Sequence, residues 1–159
     1  MSETRRGGVF IGELSRENGL EILRQALVFF PGAAVELIPA GKLGGEPLQE
    51  RLERAAYLVI PAACDEPMPR RVMEAFANAL PVIAADEGSA AALVEPGRNG
   101  LLFETGSARD LARRLAWAEA FPEKVRQMGE CARADYLARF IGDWSYQRLF
   151  GERRSRARF

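Results

Sequence analysis

Glu66 and Glu74 are separated by seven residues, with Arg70 and Arg71 between them, and Asp86, Gly88 and Ser89 follow the next apolar run. Arg70 and Arg71 open a helix-like segment, where the exposed backbone N–H groups make a cation unfavourable. A bound anion makes that placement tolerable, and plain exposure to solvent accounts for it equally well. The two glutamates also read in two ways, as acids of a binding site or as a solvated loop acid and a helix-surface acid. Other chemistry is excluded outright. The chain has no histidine, which removes a Ser-His-Asp triad, a Cys-His pair and any histidine-containing metal site. Cys64 lies two residues before Glu66 but has neither a histidine nor a resolving thiol nearby, so it reads as a structural thiol.

These residues need a scaffold, and the rest of the chain describes one. Its 159 residues suit a single domain and are short for two. Hydrophobic residues make up 48% and charged residues 28%, a profile that opposes disorder. Lys+Arg and Asp+Glu are both 22, so no electrostatic footprint for nucleic acid or an anionic membrane is expected. No apolar run approaches the ~18 residues of a membrane span. The first residues lack the apolar stretch of a secretory signal, and two cysteines make no disulfide framework, so a cytoplasmic location is expected.

Strand-like and helix-like segments alternate. Val9–Gly12, Ala34–Ile38, Tyr57–Pro61, Pro81–Asp86 and Asn99–Phe103 read as strands. Leu20, Leu23, Leu27 and Phe30 mark a first helix, Leu48, Leu52 and Ala55 a second behind Pro47, and 70–80 a third behind Pro69. Ser107 to Asp110 reads as a capping box before Leu111 and Leu115. Pro122 opens a helix carrying Val125, Met128, Ala132 and Tyr136 inward. A last short helix is expected over 144–150. The expected fold is α/β, a doubly wound, Rossmann-like, mostly parallel sheet of about five strands with helices on both faces. Residues 1–8 read as a flexible lead-in, 9–150 as the domain and 151–159 as a basic tail. Ligands of such folds bind at the carboxyl ends of the strands, which puts the loops after Gly12, Pro61, Asp86 and Phe103 on the functional edge.

The order of motifs resembles one family. Glu66-x7-Glu74 is followed by Glu74-Ala75-Phe76-Ala77-Asn78-Ala79-Leu80-Pro81-Val82-Ile83-Ala84. Then come Leu93-Val94-Glu95-Pro96-Gly97-Arg98-Asn99-Gly100-Leu101-Leu102-Phe103 and a capped helix. This resembles the donor-binding C-terminal domain of GT-B glycosyltransferases, in particular the retaining family 4 ("group 1") enzymes, with their E-x7-E, EAxAxGxPVIA and LVxxGxNGLLF patterns. Phe10 to Leu20 is similar to the family's FVGRLxxxKGL opening, and Phe140 to Ser145 to its RFSW segment. The resemblance implies a nucleotide-sugar donor such as a UDP- or GDP-sugar, with no metal and no further cofactor. It places Glu66, as the catalytic residue, at the donor sugar and Glu74 at the ribose. Amides from Met68 and Arg70 onward meet sugar and phosphate, and Asp86 to Ser89 line the cleft.

This sequence departs from that pattern in three places. The family's phosphate-binding Arg and Lys are Glu13 and Asn18 here, a change from +2 to −1 at those positions. A unit charge pair at contact is worth about 4 kcal/mol at an effective dielectric of ~20, so weak nucleotide binding is expected, with Arg16, Arg70 and Arg71 as possible substitutes. Pro69 replaces the glycine after the first glutamate and has no N–H to offer. About one βα unit is missing between the first helix and the strand before Glu66. A GT-B enzyme reacts in the cleft between two such domains, so this chain alone is expected not to transfer sugar and to need an acceptor-binding partner half or, as an alternative, to serve as a degenerate binding module. Trp144, Tyr146 and Phe150 read as packing residues or as a docking surface for that partner or a second copy.

Overall fold

Val9, Phe10 and Ile11 are all buried, yet they do not share a core: Val9 and Ile11 point to one face of a sheet and Phe10 to the other. The same alternation splits Leu58 from Val59 and Val82 from Ile83. Continuous apolar runs of this kind are what a parallel sheet covered on both faces requires. The structure, a computed structural model, describes residues 5–12, 19–39, 48–63, 66–67 and 69–141, the side chains of 140 and 141 excepted. The strands are β1 (Gly8–Gly12), β2 (Val35–Pro39), β3 (Tyr57–Ile60), β4 (Val82–Ala85) and β5 (Gly100–Phe103). They form one five-stranded sheet in the order β2-β1-β3-β4-β5, and every pairing is parallel.

The helices are α1 (Leu20–Phe29), α2 (Leu48–Arg54), α3 (Arg70–Ala77), α4 (Ser89–Leu93), α5 (Ala108–Ala120) and α6 (Pro122–Tyr136), followed by a π-helical turn at Leu137–Ile141. Leu52 of α2, Val72 and Phe76 of α3 and Ala90 of α4 cover one face of the sheet. Leu23 of α1 and Leu111 and Leu115 of α5 cover the other. Each large side chain removed from water here contributes roughly 1.5–3 kcal/mol. Helix α6 serves both faces, Val125 and Met128 joining one core and Ala132 the other.

The doubly wound parallel sheet expected from the sequence is therefore present, and several boundaries move. Order begins before residue 9: Gly8 already pairs with Val35 and Tyr57, Arg6 N–H donates to Arg54 O at 3.0 Å, and the Arg5 guanidinium donates to Asn78 O at 2.8 Å. Helix α4 was not anticipated, because Ser89-Ala90-Ala91-Ala92-Leu93 is too short to show a period. The reciprocal capping box at α5 is only half made. Ser107 Oγ accepts from Asp110 N–H at 3.0 Å, but Ser107 N–H is already given to Glu104 O, so the Asp110 carboxylate takes Glu104 N–H at 2.8 Å instead. The expected helix over 144–150 and the tail lie outside the described residues.

Helix α3 ends at Ala77, three residues before the expected Leu80. Ala79 adopts φ 59°, and Leu80 N–H reaches back to Ala75 O at 2.8 Å while Ala79 N–H bonds Phe76 O at 3.0 Å. This is a Schellman ending built on an alanine where a glycine is the usual residue. The left-handed conformation costs alanine about 1–2 kcal/mol. The extra freedom of glycine in the unfolded chain takes back about 0.4–1 kcal/mol. Ala79→Gly is therefore expected to stabilise the fold by about 0.5–1 kcal/mol. Denaturant unfolding should show a higher midpoint at unchanged slope; a lower midpoint would contradict the backbone argument. The same turn explains Gly129 on α6, where a Cβ would run into the carbonyl oxygen of Ala79.

Candidate functional site

The sheet order places the switch in winding direction between β1 and β3. From β1 the chain crosses outward to β2; from β3 it crosses the other way to β4. The two strands pair at Gly8 with Tyr57 and at Val9 with Leu58, near their amino ends. Beyond those pairs their carboxyl ends frame an opening, as a switch point does in open α/β sheets. A cavity of about 330 Å³ fills it, walled by Phe10–Gly12, Leu58–Ala63, Glu66 and Pro69–Arg71.

The sequence explains how each wall is built. Pro61 ends β3, since its ring denies the next ladder hydrogen bond. The loop that follows carries Glu66, which is exposed at the rim. Buried Pro69 then starts α3 with φ −70° and ψ 99° and supplies no side-chain cap. The first turn of α3, beginning at Arg70, thus faces the cavity with its positive dipole end and no side-chain acceptor from Pro69. Gly19 packs against the Pro61–Ala62 wall. It holds φ 78°, and a Cβ there would lie 2.7 Å from the carbonyl carbon of Pro61, so only glycine lets α1 start against the β3 loop.

Three of the residues singled out by sequence meet in this one cavity: Glu66, Arg70 and Arg71. Glu74 stands one turn further along α3 and is tied to the cavity through Arg71, whose Nη1 lies 2.8 Å from Glu74 Oε1. Asp86, Gly88 and Ser89 share the same sheet edge, after β4, but are not among the walls. The Asp86 carboxylate accepts from Thr105 N–H at 3.2 Å and Thr105 Oγ1 at 2.8 Å, joining the loop after β4 to the loop after β5. Met68, Glu13, Arg16, Asn18 and Cys64 lie outside the described residues. Gly12 and Gly19, which flank the 13–18 segment, both abut the cavity or its wall.

Sequence reasoning passed over one polar cluster. Asn99, named only as a motif letter, is 1% exposed and the one buried polar side chain among the described residues. Its Oδ1 accepts from Glu95 N–H at 2.7 Å, and its Nδ2 donates to Leu93 O at 3.2 Å and Asp135 Oδ2 at 2.8 Å. Asp135 also takes a two-pronged contact from Arg98 at 2.7 and 2.8 Å. The bonds from Arg98 hold the Asp135 carboxyl below its ordinary range, with a smaller contribution from Asn99. The burden of this motif residue is to fasten the turn before β5 onto α6. An asparagine before a glycine signals a turn, but its partner 36 residues away is invisible in sequence.

Comparison with known proteins agrees with this geometry. The chain resembles HepE of Anabaena, solved in complex with UDP, with 20% identity over 92% of this chain and 49% of that one and a TM-score of 0.74. HepE has also been solved with UDP-glucose, where identity is 24% over 85% of this chain and 45% of that one and the TM-score is 0.71. Sucrose-phosphate synthase of Thermosynechococcus elongatus matches at 22% identity and TM-score 0.74, over 93% of this chain and 46% of that one. The C-terminal domain of LpcC, a glycosyl transferase group 1 family protein of Francisella tularensis, matches at 16% identity and TM-score 0.68, over 86% of this chain and 88% of that domain. The chain thus spans about half the length of the first two proteins. No curated protein sequence matches it. No helix among the described residues is long and apolar enough to cross a membrane. The sequence profile of glycosyl transferases group 1 matches residues 38–135, well over half of the chain and inclusive of both glutamates, so this chain belongs to the group 1 glycosyl transferases.

Proposed function

We propose that the chain is the nucleotide-sugar (donor) binding half of a retaining, family 4-like glycosyltransferase, which needs an acceptor-binding half for sugar transfer. The observation that carries this reading is the cavity at the β1–β3 switch point, where Glu66, Arg70 and Arg71 meet the start of α3. HepE's UDP and UDP-glucose supply the donor class. In this reading Glu66 lies at the donor sugar and Glu74 at the ribose. Arg70, Arg71 and the amides from Met68 onward take sugar and diphosphate, and Asp86, Gly88 and Ser89 flank the outer cleft. Charge developing on the leaving diphosphate is met by guanidinium groups and a helix N-terminus, an arrangement that calls on no metal. Transfer requires both halves of the cleft to orient the acceptor and exclude water.

A second reading, a degenerate domain that binds a partner and no longer transfers sugar, is favoured by Pro69. It begins α3 with no N–H to offer a phosphate, and in the sequence Glu13 and Asn18 replace the family's two cations. Titration of the 15N-labelled chain with UDP and GDP separates the two. The donor reading expects amide shifts at Gly12, Ala62 and Arg70–Val72 with millimolar dissociation constants. Unmoved amides at tens of millimolar nucleotide would establish the degenerate reading.

A further inference from the structure

Arg71 gives one guanidinium nitrogen, Nη1, to Glu74 Oε1 at 2.8 Å, so an anion in the cavity and Glu74 compete for the position of the same side chain. Both side chains sit at intermediate exposure, 30% for Arg71 and 36% for Glu74, and an ion pair this open to water holds only weakly. Arg71 also lines the cavity wall, one residue inside the start of α3, where its cation is unfavourable to the helix and gains from any anion that arrives. Glu74 lies three residues further along, about 4.5 Å by the helical rise. A nucleoside diphosphate offers both partners over such a reach: phosphate oxygens for a guanidinium and a vicinal diol for a carboxylate.

Resting on the donor-site reading, we propose that Arg71 is an exchangeable cation. Its guanidinium occupies one oxygen, Oε1, of the Glu74 carboxylate. A nucleoside diphosphate draws the guanidinium onto a phosphate oxygen and releases Oε1, so that both oxygens of Glu74 can accept from the vicinal ribose hydroxyls. Arg71 thereby acts as a positioning residue for Glu74 and couples recognition of the two halves of the nucleotide. A ligand carrying both halves replaces the broken ion pair on both sides. Inorganic pyrophosphate replaces it on one side only and leaves the carboxylate facing it, so selectivity for a nucleotide over a bare diphosphate is built into one helix turn.

The test is amide-shift titration with UDP and with inorganic pyrophosphate, on the wild type, Glu74→Gln, Arg71→Gln and the double variant. Glu74→Gln is expected to weaken UDP binding about tenfold, through the lost charged hydrogen bonds to ribose. The same change is expected to tighten pyrophosphate binding about threefold, because Arg71 no longer has to leave an ion pair. That gain should vanish in the Arg71→Gln background. A pyrophosphate affinity that Glu74→Gln leaves unchanged or lowers overturns the exchange. So does a gain that survives intact without Arg71, since it then reflects only the removed charge. Failure of the underlying reading has a different signature: neither UDP nor pyrophosphate shifts the Arg70–Val72 amides of the wild type.

Discussion

Replacing Asn99 with alanine is expected to destabilise the fold by about 3 kcal/mol, the cost of leaving buried backbone and carboxylate partners without their hydrogen bonds. For a domain of this size that lowers the melting temperature by roughly 10 °C. The three bonds of Asn99 bind the strand-entry turn at Glu95 and Leu93 to Asp135 on α6. Asn99→Asp keeps the shape but replaces the Nδ2 donor with a carboxylate facing Asp135, so at neutral pH it should be at least as damaging. The two variants then diverge on acidification: protonating the new carboxyl restores a donor, and Asn99→Asp recovers part of its loss while Asn99→Ala does not. In the wild type the sign is opposite. Asp135 is held below its ordinary 3.8 chiefly by Arg98, so its contribution is complete above that pH and drains away as pH falls through the lowered folded-state value. Thermal melts from pH 7 downward check both statements, and a wild-type-like melt of Asn99→Ala would show that water replaces all three bonds.

How far the sequence was legible depended on whether the information was local. Tyr57–Ile60 and Val82–Ala85 are apolar at every position, which only a strand covered on both faces tolerates, and both are interior strands of the sheet. Pro69 before Arg70 marked the start of α3 correctly, because proline fixes the dihedral angle that opens a helix. The end of α3 was misjudged because Ala79 gives no local hint of a left-handed conformation. What holds it there is tertiary: Arg5 and Arg133 donate to the carbonyls of Asn78 and Ala77, and Gly129 admits the turn against α6. The same division runs through the site. The Glu66–Glu74 spacing and the neighbouring arginines were readable, since one loop and one helix turn carry them all. The cavity was not, because it arises where β1 and β3, 49 residues apart at their paired starts Gly8 and Tyr57, adjoin at a switch in winding that only the sheet order reveals. The Arg71–Glu74 pair lay between the two: i,i+3 spacing permits it, but that the two side chains meet is a property of the folded chain.

The largest gain in ligand affinity is expected from the double change Glu13→Arg with Asn18→Lys. These positions lie outside the described residues; in the family opening that the sequence resembles, both are cations. The change takes the local charge from −1 to +2. One contact pair of unit charges is worth about 4 kcal/mol before desolvation at an effective dielectric of ~20. If roughly a third of that survives for each restored cation, every one contributes about tenfold, and UDP should bind about a hundredfold tighter. The gain must shrink as salt is raised, since exposed charges are screened beyond about 10 Å at 0.1 M ionic strength. Isothermal titration at low and high salt is the direct measurement. A gain that ignores salt would point to a change of shape rather than restored charge. No gain at all would locate the defect elsewhere, and Pro69 is the residue to change next, because glycine there returns the N–H that proline withholds from the start of α3. Recovery of affinity through these three positions would mean that substitution alone accounts for weak nucleotide binding; no recovery would mean that the shape of the cavity limits it as well.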